Sequence, residues 1–118
     1  MSVQHKELAG GRWFQLGLVE QMANVGSEVE RALNWKARGN SEYSMRAVER
    51  ALELLDLTIG DLKNRCRLRE VTRVREVLAD YFYADNQYGS TEVSWRRYFR
   101  SYAYAVRAAR ERSSSSNG

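Results

Sequence analysis

Apolar residues return every three or four positions through four long segments of this chain, and no proline interrupts any of them. In the first segment Phe14, Leu18, Met22, Val25, Val29 and Ala32/Leu33 recur in this way. Val48, Leu52, Leu55 and Ile59 do so in the second, and Val71, Val74, Leu78 and Phe82 in the third. Trp95, Phe99, Tyr102, Val106 and Ala109 complete the set. A stripe with a 3.6-residue period is buried by one face of an amphipathic helix, not by a strand. Without proline, every backbone N–H in these stretches stays available to the helical ladder. The fold class is therefore all-α. Short connections between long helices favour antiparallel neighbours, so the expected architecture is an antiparallel up-down-up-down four-helix bundle.

The boundaries follow from punctuation. Residues 1–11 read as a flexible N-terminal lead ending in Gly10-Gly11, and residues 12–110 as the bundle. The first helix is expected over Arg12–Arg38. Gly17 and Gly26 lie inside it, each costing about 1 kcal/mol against alanine; they either admit close helix approach or mark a bend. Gly39 suits the left-handed position after a last turn, and Asn40 or Ser41 caps a second helix running to Ile59. Gly60 closes that helix, and Asp61 caps a third over Leu62–Tyr83. The segment Ala84–Ser90 collects Asp, Asn and Gly, which favour turns for distinct reasons. Ser90 or Thr91 then caps a fourth helix to about Arg110. The serine-rich residues 111–118 are expected to be disordered.

Chemistry-bearing residues are scarce. His5 is the single histidine and Cys66 the single cysteine, so neither a His–His metal pair nor an internal disulfide can form. No Gly-rich phosphate loop is present, and the Arg-then-His pair of small helical nucleases of the HEPN type is missing. The expectation is a protein that is not an enzyme, with no cofactor and no metal. Residues 1–11 lack the apolar core of a secretory signal, and no apolar run approaches the length that spans a bilayer. A reduced cytoplasmic location follows, with Cys66 read as a small buried residue.

Charge carries the functional argument. Residues 63–75 hold Lys63, Arg65, Arg67, Arg69, Arg73 and Arg75 against Glu70, a local balance of +5. Residues 93–112 hold Arg96, Arg97, Arg100, Arg107, Arg110 and Arg112 against Glu111, again +5, within a chain of net charge +4. Arginine suits bidentate phosphate contact, and such asymmetry marks nucleic acid as the partner. A GC-rich genome would enrich arginine equally well. The candidate nucleic-acid-binding residues are Lys63, Arg65, Arg67, Arg69, Arg73, Arg96, Arg97, Arg100, Arg107 and Arg110. On the fourth helix, Trp95, Phe99 and Tyr102 fall on the stripe and read as core; Tyr98 and Tyr104 lie off it and read as interface residues. Trp13 and Trp35 read as end-packing residues. A protein-interaction module that forms a homo-oligomer, without nucleic-acid binding, is the alternative.

Four segments taken together, GRWFQLGLVEQMANVGSEVERALNWKARGN (11–40), ERALELLDLTI (49–59), LREVTRVREVLADYF (68–82) and DNQYGSTEVSWRRYF (85–99), resemble a small uncharacterised bacterial family of helical-bundle proteins. That resemblance spans most of the chain and brings no functional residues with it. In size, helical content and positive charge the chain is also similar to the four-helix-bundle accessory proteins of diversity-generating retroelements and their ribosomal intervening-sequence relatives. This architecture-level likeness implies an oligomer that binds nucleic acid and a reverse transcriptase. Residues 39–54 look like the second helix of a tetratricopeptide repeat, but the pattern does not recur.

Overall fold

A computed structural model of the protein describes residues 11–116, which form four α-helices and no strand. Helix α1 spans Leu18–Ala37, α2 Ser41–Ile59, α3 Leu68–Tyr83 and α4 Glu92–Ser116. α1 packs against both α2 and α4, and α2 packs against α3. The backbones of α3 and α4 lie farther apart, and tyrosine side chains bridge them. The expected lead lies outside the described residues except for Gly11. α4 continues to Ser116, beyond the expected end at Arg110 and into the serine-rich segment.

The turn between α1 and α2 is set by local chemistry. Gly39 adopts φ +79°, and the N–H groups of Gly39 and Asn40 return to the carbonyls of Lys36 (3.0 Å) and Trp35 (2.9 Å). This is the Schellman arrangement that satisfies the last carbonyls of a helix. Asn40 then caps α2 through its side-chain oxygen, which accepts from Tyr43 N (3.0 Å). Two polar ties follow between α1 and α2. Ser44 Oγ donates to Ala32 O (2.8 Å), and the buried Glu28 carboxylate accepts from Arg31 (2.9 Å) and Arg50 (3.0 Å).

Both helix starts near the other end of α1 differ from expectation. The chain makes a 3-10 turn over Trp13–Gln15, is extended at Leu16 and Gly17, and only then enters α1. Gly17 is thus the N-cap and not an interior residue. Phe14 is partly exposed, and Trp13 is the buried aromatic. The third helix begins as a 3-10 turn over Leu62–Arg67, not as α-helix. That turn carries Asn64 inward and leaves Leu62 and Cys66 exposed, so Cys66 is not a core residue.

A knot of buried polar groups explains both departures. Gln21 Nε2 donates to Trp13 O (3.1 Å) and to Asp61 Oδ2 (2.9 Å), while its Oε1 accepts from Asn64 Nδ2 (2.8 Å). Asn64 Nδ2 also donates to Thr58 O (3.0 Å), and Trp13 Nε1 donates to Thr58 Oγ1 (3.2 Å). Buried polar groups are tolerated only when satisfied, and a filled network fixes geometry. Here the requirement overrides the preference for continuous α-helix on both sides.

In the main core cluster Met22, Val25, Val29 and Leu33 of α1 meet Ala51, Leu54 and Leu55 of α2, Val71, Val74 and Leu78 of α3, and Trp95 and Phe99 of α4; Ala32, Ala47 and Val48 form a smaller one. α4 comes close to α1 at Gly26, where an added Cβ would stand 2.8 Å from the Phe99 Cβ. Of the two readings of this glycine, close approach is the one realised. Gly26→Ala gains about 1 kcal/mol of helix propensity but overpacks the contact at a cost of about 1–3 kcal/mol. The expected outcome is a lower melting temperature, with a larger drop for Gly26→Leu; a rise in Gly26→Ala would show the contact to be loose.

Candidate functional site

The candidate site is built on α4, and the loop before it decides where that helix starts. The Asp80 carboxylate accepts from the backbone N–H groups of Gln87 (3.0 Å) and Tyr88 (3.1 Å). Asn86, at φ +53°, exchanges side-chain hydrogen bonds with the backbone of Ser90, and Gly89 takes φ +67°. Thr91 caps α4: its Oγ1 accepts from Ser94 N (3.0 Å), and Ser94 Oγ accepts in return from Thr91 N (2.9 Å). This is a capping box with serine in place of the usual glutamate.

Rotation of α4 about its axis is fixed on three sides. Trp95 and Phe99 stack at 6.0 Å and face the core. On the α3 side, Tyr98 and Tyr102 each donate from the hydroxyl to Glu70 Oε1 (3.0 Å), whose other oxygen accepts from Arg67 Nε (2.7 Å). On the α1 side, Arg96 reaches Glu30 (3.2 Å) and Asn34 (2.8 Å) while holding Glu92 of its own helix (3.0 Å). Burial alone would raise the Glu70 carboxyl, but Arg67 and the two hydroxyls outweigh it and hold the group below the ordinary glutamate range. Tyr98 and Tyr102 are both pushed up, first by burial; Tyr102 and then Glu70 raise Tyr98 further, whereas for Tyr102 the bond with Tyr98 acts downward and Glu70 acts upward.

These ties sort the candidate residues. Lys63 is engaged internally, with its ammonium on Asp61 and on Phe14 O (2.9 Å). Arg67 is paired with Glu70, and Arg96 with Glu30 and Glu92. Arg75, counted in the first basic segment, is paired with Asp56 (2.6 Å). Arg73 stacks over Tyr88 at 5.3 Å. Tyr98, expected at an interface, is instead half-buried between α3 and α4 because its hydroxyl is needed by Glu70. Tyr104 is 70% exposed. Arg65, Arg69, Arg97, Arg100, Arg107 and Arg110 are exposed and make no ion pair among the described residues.

Arginines of the two basic segments border different clefts. Arg100 lies along a cleft between α1 and α4 of about 190 Å³, beside Glu30 and Ser27. Arg107 and Arg110 continue that edge beside Glu20 and Asn24. Arg73 lies in a separate cleft between α3 and α4, with Val77, Trp95 and Tyr98. Trp95 borders both clefts, and its buried indole N–H has no hydrogen-bond partner among the described residues. Sequence reasoning missed Gln21, Asn64 and Glu70. A glutamine one position before Met22 on the buried side of α1 was the available signal for the first; nothing local marked the other two.

Among the described residues, no three His, Cys, Asp or Glu side chains converge as a metal site, and no helix is long and apolar enough to cross a membrane. The chain matches no protein-family model, no curated protein and no solved structure.

The tie between α3 and α4 has a pH signature. Tyr98 and Tyr102 are raised above the ordinary phenol value of about 10. Their contribution is therefore complete below that pH and is lost as pH rises above it. The urea midpoint is expected to fall on this alkaline limb, and the double variant Tyr98→Phe/Tyr102→Phe is expected to flatten the fall. An unchanged alkaline slope in the double variant would remove the tie from the account.

Proposed function

We propose that this chain is a non-catalytic accessory protein that binds nucleic acid along α4, presented by an antiparallel up-down-up-down four-helix bundle. The observation that carries this reading is the row Arg97, Arg100, Arg107 and Arg110: all four are exposed and free of carboxylate partners among the described residues. Residues 93–110 contain no Asp or Glu, so nothing on this stretch of the helix neutralises them. From Arg97 to Arg110 the row extends about 20 Å along the axis, long enough to meet several successive phosphates. Guanidinium groups hold phosphate oxygens bidentately and are weakly hydrated, which favours such contacts. Arg65 and Arg69 are also exposed and support binding less directly.

A symmetric homo-oligomer would bring several such rows together, and a nucleic-acid enzyme such as a reverse transcriptase is the protein partner the architecture-level likeness suggests. A second reading, a protein-interaction module without nucleic-acid binding, is favoured by Leu62, which is 79% exposed, with Leu68 at the start of α3 also exposed. Light scattering and pull-down separate the two: a strict monomer with no recovered partner argues against the interaction reading.

The nucleic-acid reading is tested by anisotropy of labelled RNA and DNA over a range of salt concentrations. Each phosphate contact contributes about 0.7–0.9 to the slope of log affinity against log salt. Changing Arg97, Arg100, Arg107 and Arg110 to Gln is expected to weaken binding and lower that slope by about three. Changing the paired residues Arg67 and Arg75 is expected to leave the slope nearly unaltered. Absence of affinity at low salt would overturn the reading.

A further inference from the structure

We infer that the α4 surface is a platform for single-stranded nucleic acid, with a base stacked on Tyr104 and the neighbouring phosphates held by Arg97, Arg100 and Arg107. The inference rests on the nucleic-acid reading of α4 and adds to it the strandedness of the ligand and the residue that recognises a base.

Tyr104 is the most exposed tyrosine among the described residues, at 70% against 50% for Tyr88 and 49% for Tyr83. Tyr81, Tyr98 and Tyr102 pack against neighbouring rings, and Tyr88 lies beneath Arg73. Tyr104 is 70% exposed and has no ring, cation or hydrogen-bond partner among the described residues. Its helical neighbours explain the openness. Residues three and four apart share a face, and around Tyr104 these are Arg100 and Ser101 before it and Arg107 and Ala108 after it. Ser101 and Ala108 are too small to cover the ring, so one side of it is open. The other side is edged by two guanidinium groups, with Arg97 two turns back on the same outward face. An exposed aromatic among unneutralised cations is the combination that binds single strands: the cations track the backbone, and the ring takes the π-face of any base.

Charge complementarity selects a polyanion over a neutral partner: α4 has no carboxylate within a turn of Tyr104, and Glu20 and Glu30 of α1, which border the clefts of Arg107 and Arg100, form no ion pair with them. Geometry selects a single strand over a duplex. In a duplex the bases are stacked on one another, and admitting a side chain requires unstacking a step. The face here is one convex helix without a wedge of apolar residues to offset that loss. In a single strand the bases are already free to leave one another and lie on the ring.

The test compares wild-type protein with Tyr104→Ala and Tyr104→Trp. The probes are a short labelled single strand, the blunt duplex of the same sequence, and an abasic strand of the same length, each as DNA, with the single strand and duplex also as RNA. The expected result is tighter binding of the single strand than of the duplex or the abasic strand. Tyr104→Ala is expected to lower single-strand affinity by at least about fivefold without changing the salt slope or the affinity for duplex and abasic strand. Tyr104→Trp is expected to retain single-strand affinity. An unaltered single-strand affinity in Tyr104→Ala, or an equal loss on all three probes, overturns the inference while leaving the arginine row standing. Failure of the wild type to bind any probe at low salt overturns both. Circular dichroism melts of the variants are expected to match the wild type, because the ring contacts nothing inside the fold.

Discussion

Phe99 occupies the notch that Gly26 leaves on α1, and the orientation of the whole of α4 follows from that contact. With Phe99 seated, Trp95 stacks beside it in the core, and Tyr98 and Tyr102 point toward α3. One residue further round the helix, about 100°, Arg96 is brought to Glu30 and Asn34. Every remaining arginine up to Arg110 is then left outside. A side chain at position 26 would push α4 outward and with it the register of all these contacts. A helix carrying five arginines between residues 93 and 110 is divided by one glycine into an anchored side and an exposed side.

The opposite end of α1 is governed by hydrogen bonding. Gln21 takes part in bonds to Trp13, Asp61 and Asn64, so the lead-in to α1, the end of α2 and the approach to α3 are tied at one residue. Asp61 is depressed despite burial, which acts to raise it, because Lys63 and Gln21 donate to it. Lys63 is the balancing cation of this knot, and that role removes it from the surface charge that its sequence neighbourhood implies. α3 is held by the same logic, with Arg75 on Asp56 toward α2 and Glu70 receiving two tyrosine hydroxyls from α4.

What the sequence revealed and what it hid divide along physical lines. The four helices and the middle of their apolar stripes were legible because periodicity is a local property of the chain; Phe14 and Ala109, at the ends of the expected stripes, are exposed. The caps were legible to within one residue, Asn40 or Ser41 and Ser90 or Thr91, since a cap needs only its own side chain and the next turn; Asn40 and Thr91 take the role. The break at Leu16–Gly17 and the 3-10 winding at Leu62–Arg67 were not: the first goes with Trp13, whose indole N–H reaches Thr58, 45 positions away, and the second with Gln21 bonding to Asp61 and Asn64 about forty positions away. Charge was the least legible property. Arg96 and Arg97 are adjacent and chemically identical, yet one is held by Glu30 and the other faces solvent; only the rotation of α4 separates them. Tyr98 and Tyr104 both fall off the apolar stripe, and the carboxylate of Glu70 claimed the first.

Local charge balance therefore overstates the basic surface of this molecule. Lys63, Arg67, Arg75 and Arg96 are matched by carboxylates, and Arg73 borders a different cleft from Arg107 and Arg110. The exposed edge of α4 remains, and its composition rather than the net charge of the chain supports a role in binding a polyanion. The claim beneath this is that one helix rotation sorts the arginines. Timed modification of the folded protein with phenylglyoxal, read arginine by arginine by mass spectrometry, tests it directly. The account predicts rapid reaction at Arg97, Arg100, Arg107 and Arg110 and slow reaction at Arg67, Arg75 and Arg96. Equal rates at the neighbours Arg96 and Arg97 would contradict it.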